Sequence, residues 1–204
     1  MINVIKAIKE NKLVGIIREN NPDKAIEIAN AYIEGGIKII EMTTPIEAVK
    51  AVAANEKIFV AKGGIITREQ AIEAIKANAK FLVSPILQMG LVKLSSAYKT
   101  PLVLTATTPN EAYSAWQARI PLIKIYPIKD LGGANYIEEL LRPMNFLNVM
   151  PTGSIKTEDI QSYIGAGATA VGLGRELYLN KTFDEIKESA KNAVSAANAA
   201  VCRI

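Results

Sequence analysis

The sequence of 204 residues contains no histidine. This absence excludes Ser-His-Asp catalysis, acid–base chemistry by an imidazole, and metal sites built on histidine. Cysteine occurs once, as Cys202, so the chain cannot form an internal disulfide and its composition is typical of a reducing compartment. Any chemistry therefore has to come from lysine, arginine, carboxylates, hydroxyls and the backbone.

Long apolar runs are also missing. No stretch approaches the roughly 20 apolar residues that span a membrane, and residues 1–12 lack the apolar core of a signal peptide. The formal net charge of +4 is small, and basic residues are mixed with acidic ones along the whole chain. This pattern favours a small anionic ligand over nucleic acid, which needs clustered positive charge. We expect a cytoplasmic protein with neither a membrane nor a nucleic-acid partner.

What recurs along the chain is an alternation of apolar strand and helix patterns. No linker or shift in composition marks a boundary, so we expect one domain over residues 1–204. Several strands are near-continuous apolar runs, as in parallel sheets that are covered on both faces. The predicted strands cover residues 13–18, 37–42, 58–62, 81–84, 102–105, 122–126, 147–150 and 169–172.

Local signals mark the helix starts between these strands. A proline in the first helical position is predicted after Asn21 and after Thr44, and capping-box patterns begin at Thr67 and Thr108. A long C-terminal helix is expected to begin at residues 180–181, with alanines packed along one side.

Two α/β folds accommodate eight such units: a closed (β/α)₈ barrel and an open doubly wound sheet. The first strand is not followed by the G-x-G-x-x-G pattern of the second fold, and the connections are short. We therefore predict a (β/α)₈ TIM barrel, with an extra N-terminal helix over residues 1–12.

Lys124 lies in the middle of an apolar strand that is closed by a proline at each end. Strand periodicity places it on one face with Leu122 and Tyr126. Its ammonium group either reaches solvent from an edge strand or is held in a dry interior. In the second case burial disfavours the charged form and makes the lysine a nucleophile.

Nearly every predicted strand ends in a polar or charged residue. In barrels the chemistry collects at these carboxyl ends, so we expect the side chains to converge on one pocket. The alternative is that each residue only marks the point where its strand reaches solvent. The strand-end residues are Arg18, Glu41, Lys62, Ser84, Thr105, Lys124 with Tyr126, Thr152, and the segment from Gly172 to Arg175.

Glu41 falls on the buried face of its strand. It is either the partner of Arg18 or Lys62 in an ion pair, or a general acid–base opposite Lys124. A carboxylate-only magnesium site would have just Glu41 and Asp130 near strand ends. A lysine and a carboxylate in a barrel without histidine point to Schiff-base chemistry on a carbonyl compound.

Two glycine-containing turns follow the seventh and eighth strands, over residues 150–155 and 172–175. Glycines allow a ligand to approach the backbone closely, and phosphate commonly binds after these two strands of a barrel. The pair therefore predicts an anion site, and the alternative is tight turn geometry alone.

These features resemble the 2-keto-3-deoxy-6-phosphogluconate (KDPG) and 4-hydroxy-2-oxoglutarate (KHG) aldolases, over essentially the whole chain. The resemblance implies a class I aldolase on a (β/α)₈ barrel with an extra N-terminal helix, which forms a homotrimer and needs neither metal nor cofactor. It is carried by residues 14–18, 35–37, 40–43, 83–85, 123–127, 151–155 and 166–168.

By this resemblance Lys124 is the Schiff-base lysine and Glu41 the catalytic glutamate. The implied substrate is a small oxo acid, with or without phosphate, and Arg18 and the two glycine turns fall on the phosphate side. The residues expected to bind substrate are Arg18, Thr43, Lys62, Gly63, Gly64, Pro85, Tyr126, Thr152, Gly153, Ser154, Gly174 and Arg175.

Several family positions differ here. Gly64 replaces a threonine that helps to hold the pyruvoyl group, and Thr44-Pro45 occupy a region where many members carry an arginine for the substrate carboxylate. Lys62 is therefore expected to supply the missing charge. Arg175 replaces a serine and is expected to bind phosphate more strongly.

The predicted reaction is aldol cleavage, or its reverse, of a 4-hydroxy-2-oxo acid to pyruvate and an aldehyde. One alternative is a barrel that acts on a sugar phosphate without a covalent step. Another is a diverged family member with altered specificity or no catalysis, which binds an oxo acid or a phosphate ligand.

Overall fold

Eight parallel strands form a closed barrel in the computed structural model, which describes residues 4–202. Neighbouring strands pair in the order β7-β6-β5-β4-β3-β2-β1-β8, and a parallel bridge between Thr152 and Gly172 closes the ring. The predicted (β/α)₈ barrel is confirmed. The strands are β1 Leu13–Arg18, β2 Ile39–Thr43, β3 Phe59–Gly63, β4 Phe81–Val83, β5 Leu102–Ala106, β6 Ile123–Ile125, β7 Val149–Pro151 and β8 Val171–Leu173.

Helices follow the strands around the outside of the barrel, and one helix precedes β1 as predicted. Residues 1–3 of that predicted helix lie outside the described part of the chain. The helices are α1 Val4–Asn11, α2 Pro22–Glu34, α3 Ile46–Ala53, α4 Arg68–Lys76, α5 Val92–Tyr98, α6 Pro109–Gln117, α7 Gly133–Leu141, α8 Ile160–Gly165, α9 Arg175–Tyr178 and α10 Phe183–Ala199. Across residues 4–202, none of them is both long and apolar enough to cross a membrane.

Three strands, β2, β7 and β8, begin two residues later than the apolar pattern predicts. The early residues Ile37 and Leu147 are buried, but their amides bond back to the preceding turn, to Tyr32 and Met144 respectively. Thr169 donates a single bond to Val149 before β8 begins. Buried apolar residues therefore precede the first residue that pairs with a neighbouring strand. Because the sequence pattern reports burial rather than pairing, it places the strand starts too early.

Most helix starts follow the predicted signals. The Asn21 side chain accepts a hydrogen bond from the Lys24 amide at 3.0 Å, and Pro22 occupies the first helical position. Thr67 and Thr108 each form a complete capping box. These side chains satisfy amides that a helix start leaves without intrahelical partners.

Two predicted helix starts are wrong. Pro45, rather than Thr44, occupies the N-cap position of α3, and the Thr44 hydroxyl donates to the Pro45 carbonyl instead of accepting from an amide of the first turn. The C-terminal helix begins at Phe183, after a capping box at Thr182. Asn180 has a φ of 58°, in the left-handed region, so it belongs to the preceding turn.

The buried apolar residues form two layers. The inner layer fills the barrel and includes Val14, Ile16, Ile39, Leu122 and Met150. The outer layer lies between the strands and the helices. The buried face of α1 joins the inner layer, so this helix covers the end where β1 starts. The barrel therefore opens at the carboxyl ends of its strands.

We expect Gly35→Ala to destabilise the fold. An added Cβ would lie 2.5 Å from the Ala190 Cβ and 2.6 Å from the Lys187 carbonyl oxygen, where α2 meets α10. Overpacking of this kind costs about 1–3 kcal/mol of unfolding free energy, measurable by urea denaturation. Gly90→Ala is the control, because its Cβ would meet only a side-chain oxygen of Gln88 at 3.3 Å. Equal stabilities of the two variants would contradict this packing.

Candidate active site

A buried ion pair crosses the inside of the barrel. Lys124 Nζ on β6 donates to both carboxylate oxygens of Glu41 on β2, at 2.8 and 2.9 Å. The two residues are 3% and 1% exposed. Of the alternatives for Lys124, the structure therefore shows the dry interior rather than an edge strand. Glu41 pairs with Lys124 and not with Arg18 or Lys62.

Strand alternation brings these two side chains together. Lys124 continues the inward face of Leu122, and Glu41 continues that of Ile39. The carboxylate also needs space, which Gly63 on the neighbouring strand provides. A Cβ at Gly63 would lie 2.9 Å from Glu41 Oε1 and 2.5 Å from Thr43 Oγ1.

The ion pair lines a small chamber of about 100 Å³. This volume exceeds the roughly 10–15 Å³ that a single water molecule needs, so the chamber can admit a small ligand. The Thr105 hydroxyl donates to the Ser84 carbonyl at 2.6 Å and so ties two adjoining strand ends together. The chamber residues are Arg18, Glu41, Gly64, Val83, Pro85, Thr105, Lys124 and Tyr126.

A larger cavity of about 400 Å³ lies beside the chamber and shares Arg18 and Tyr126 with it. The turns after β7 and β8 meet here, as the sequence predicts. Gly153 has a φ of 116°, and a Cβ there would lie 3.2 Å from the Pro127 Cα, so the close approach of the turn after β7 to the segment after β6 depends on glycine. The lining residues include Asp130, Thr152, Gly153, Ser154, Gly172, Gly174, Arg175, Glu176 and Tyr178.

Two arginines stand at this opening without a partner. Arg18 and Arg175 together line a third cavity with Thr43, and within residues 4–202 neither guanidinium is within ion-pair distance of a carboxylate. Two unpaired guanidinium groups at one opening favour the binding of an anion.

Almost all the predicted binding residues meet at these connected cavities. Arg18, Gly64, Pro85 and Tyr126 line the chamber. The cavity beside it is lined by the predicted residues Thr152, Gly153, Ser154, Gly174 and Arg175.

Two predicted residues line none of these cavities: Gly63, which packs against Glu41 and Thr43, and Lys62. Its strand turns Ala61 into the barrel and Val60 toward the helices, and Lys62 shares the side of Val60. Its ammonium group donates to the Gly63 carbonyl at 2.9 Å. Burial lowers the pKa of Lys62, against the opposing effect of Glu73 and Glu41. The structure thus does not place Lys62 in the chamber.

Tyr178 contributes to the site although the sequence analysis missed it. Its hydroxyl donates to the Arg18 carbonyl at 3.0 Å and accepts from the Arg18 amide at 3.2 Å. These bonds hold the carboxyl end of β1 in place. Tyr178 ends the four-residue helix α9, away from any strand end. Its only sequence signal is the spacing of three residues from Arg175.

Comparison with known proteins identifies similar chains. A family model described as "KDPG and KHG aldolase" matches residues 4–194. The 2-dehydro-3-deoxy-phosphogluconate aldolase of Haemophilus influenzae is 30% identical over 79% of this chain and 78% of its own.

Two solved structures share the fold. The KDPG aldolase of Zymomonas mobilis with 3-phosphoglycerate has a TM-score of 0.87 at 22% identity, covering 97% of this chain and 98% of its own. The KDPG aldolase of Legionella pneumophila, with pyruvate captured as a covalent carbinolamine, has a TM-score of 0.81 at 19% identity and covers 97% of both chains.

We expect Lys124→Met to destabilise the protein by about 3–5 kcal/mol, because it leaves the buried Glu41 carboxylate unpaired. Adding Glu41→Leu should restore most of this loss, since two apolar groups replace the pair. Urea denaturation measures both effects. In the control Lys187→Met, which breaks the exposed pair with Glu34, stability should be unchanged. A double variant as unstable as the single one would show that the pair is not the cause.

Proposed function

We propose that this chain, which belongs to the family of KDPG and KHG aldolases, cleaves a 4-hydroxy-2-oxo acid to pyruvate and an aldehyde, or catalyses the reverse reaction. The observation that carries the proposal is the buried contact between the Lys124 ammonium group and the Glu41 carboxylate at 2.8 Å. It supports Schiff-base chemistry, because a proton can pass directly between the nucleophile and its acid–base partner.

The first half of the reaction forms the Schiff base. Lys124 gives a proton to Glu41, and its neutral amine attacks the C2 carbonyl carbon of the substrate. Proton transfer from nitrogen to oxygen gives a neutral carbinolamine. Glu41 then returns its proton to the C2 hydroxyl, which leaves as water, so that the products are a cationic iminium and a Glu41 carboxylate.

The second half breaks the C3–C4 bond. Glu41, directly or through a water molecule, accepts the proton of the C4 hydroxyl, and the bonding electrons move into the iminium to give an enamine. The aldehyde leaves at this point. Protonation of the enamine at C3 by Glu41 and hydrolysis of the resulting iminium release pyruvate and regenerate the lysine.

The cavity beside the chamber is proposed to hold the distal end of the substrate. Arg175 and the amides of the glycine turns suit a phosphate group. The Haemophilus influenzae relative is named for a phosphorylated substrate, which supports the same choice here. We infer from the family resemblance alone that the protein is a cytoplasmic homotrimer.

Borohydride reduction in the presence of pyruvate should leave a stable adduct on Lys124, detected by mass spectrometry of the digested protein. The adduct should be absent from Lys124→Met. It should persist in Lys62→Met, because Lys62 is a second partly buried lysine that points away from the chamber. An unmodified Lys124 in the unaltered protein would refute the proposed Schiff base.

Steady-state kinetics with phosphorylated and unphosphorylated 4-hydroxy-2-oxo acids test the distal site. We expect Arg175→Ser to raise KM for the phosphorylated substrate about 10-fold, because a hydrogen bond to a charged group contributes about 1.5–3 kcal/mol. The unphosphorylated substrate should be affected much less. Equal effects on both substrates would place the phosphate elsewhere.

A further inference from the structure

The carboxylate at C1 of an oxo acid needs a counter-charge in the chamber. This inference rests on the proposed function. The pair of Lys124 and Glu41 carries no net charge, and the pair of iminium and carboxylate carries none either. The substrate carboxylate therefore adds one uncompensated negative charge beside a buried pair. An unpaired charge in such a place is strongly unfavourable.

Arg18 is the cation in position to compensate it. Of the residues that line the chamber, the basic ones are Lys124, which is bound to Glu41, and Arg18. Lys62 shares the outward side of its strand with Val60, and Arg175 lines the neighbouring cavities but not the chamber. The backbone of Arg18 is held at both its amide and its carbonyl by Tyr178.

Thr43 lines the third cavity rather than the chamber, but its side chain adjoins Gly64, which lines the chamber, and its hydroxyl offers a second donor. Thr43 is the register partner of Arg18 on β2, and it lies on the same inward side as Glu41. Its Oγ1 is buried and has no hydrogen-bond partner among the described residues. A buried hydroxyl without a partner is costly, and a ligand oxygen would satisfy it.

Gly63 and Gly64 leave the Thr43 side chain room to face the ligand. A Cβ at Gly63 would lie 2.5 Å from its Oγ1, and one at Gly64 would lie 3.3 Å from its methyl carbon. Gly64, at the position that carries a threonine in the resembled family, therefore leaves no side-chain atoms beside the Thr43 methyl group, and the Thr43 hydroxyl adjoins Gly63.

We propose that Arg18 and Thr43 together bind the C1 carboxylate of the oxo acid. Arg18 then serves the carboxylate end of the substrate, rather than the phosphate side that the family resemblance assigns to it. The distal anion is left to Arg175 and the glycine turns. The two arginines thus distinguish the two ends of a substrate that is negatively charged at both.

The test compares pyruvate with pyruvamide, a neutral analogue that keeps the ketone. The readout is the concentration of each that gives half-maximal borohydride-trapped adduct on Lys124. We expect Arg18→Gln to raise this concentration about 10- to 100-fold for pyruvate, from the loss of a charge-assisted hydrogen bond. Pyruvamide should change by less than about 3-fold.

Thr43→Val should raise the half-maximal concentration of pyruvate about 5-fold, because it removes one neutral hydrogen-bond donor. Thr43→Ser keeps the donor and should leave this concentration unchanged. The control for loss of an arginine is Arg142→Gln, because Arg142 is exposed and paired with Glu138 and Glu139 outside the three cavities. Both concentrations should match those of the unaltered protein in this control.

Each result decides the matter. If Arg18→Gln raises the half-maximal concentration for pyruvate and not for pyruvamide, the inference is supported. If the half-maximal concentration for pyruvate is unchanged, or rises equally for pyruvamide, the inference is overturned. Formation of the adduct would still support the aldolase proposal. If Arg175→Gln, and not Arg18→Gln, raises the half-maximal concentration for pyruvate alone, the C1 carboxylate binds at Arg175 and the inference is overturned. Absence of adduct in the unaltered protein would overturn both proposals.

Discussion

The contact between Lys124 and Glu41 is the interaction on which the rest of this site depends. Two opposite charges are held out of water, and such a pair is tolerated only when its geometry is good and its neighbours leave room. The barrel supplies both conditions. Strand alternation points the two side chains at each other, and Gly63 leaves space for the carboxylate. The apolar face of α1 closes the opposite end of the barrel and shields the interior from water.

Two arginine side chains near this neutral pair, those of Arg18 and Arg175, have no carboxylate partner among the described residues, and the buried hydroxyls of Thr43 and Thr152 have no hydrogen-bond partner there. Groups left unsatisfied in this way are unfavourable to stability, and they cluster at binding sites because a ligand satisfies them. In the proposed function, the chamber holds the covalent chemistry and the cavity beside it binds the distal anion.

The two solved structures described above are 19% and 22% identical to the chain, and at that distance they establish the fold alone. Family membership comes from the match over residues 4–194 and from the relative at 30% identity. By the family resemblance, Lys124 and Glu41 fall on the expected lysine and glutamate, whereas the residues expected around the substrate carboxylate differ. Gly64 is the clearest change, because it leaves no side chain next to the Thr43 methyl group.

The sequence by itself determined the eight strand–helix units, the capping of α2, α4 and α6, and the apolar strand that holds Lys124, because these follow from local periodicity and capping chemistry. Tertiary structure alone decided which face of β3 is inside. Both faces of a barrel strand are buried, so alternation cannot tell Lys62 from Gly63 until the sheet closes. It also decided that Glu41 meets Lys124 across 83 positions of sequence, and that Tyr178 holds Arg18 across 160. Such contacts arise between strand ends and turns that only the closed barrel brings together.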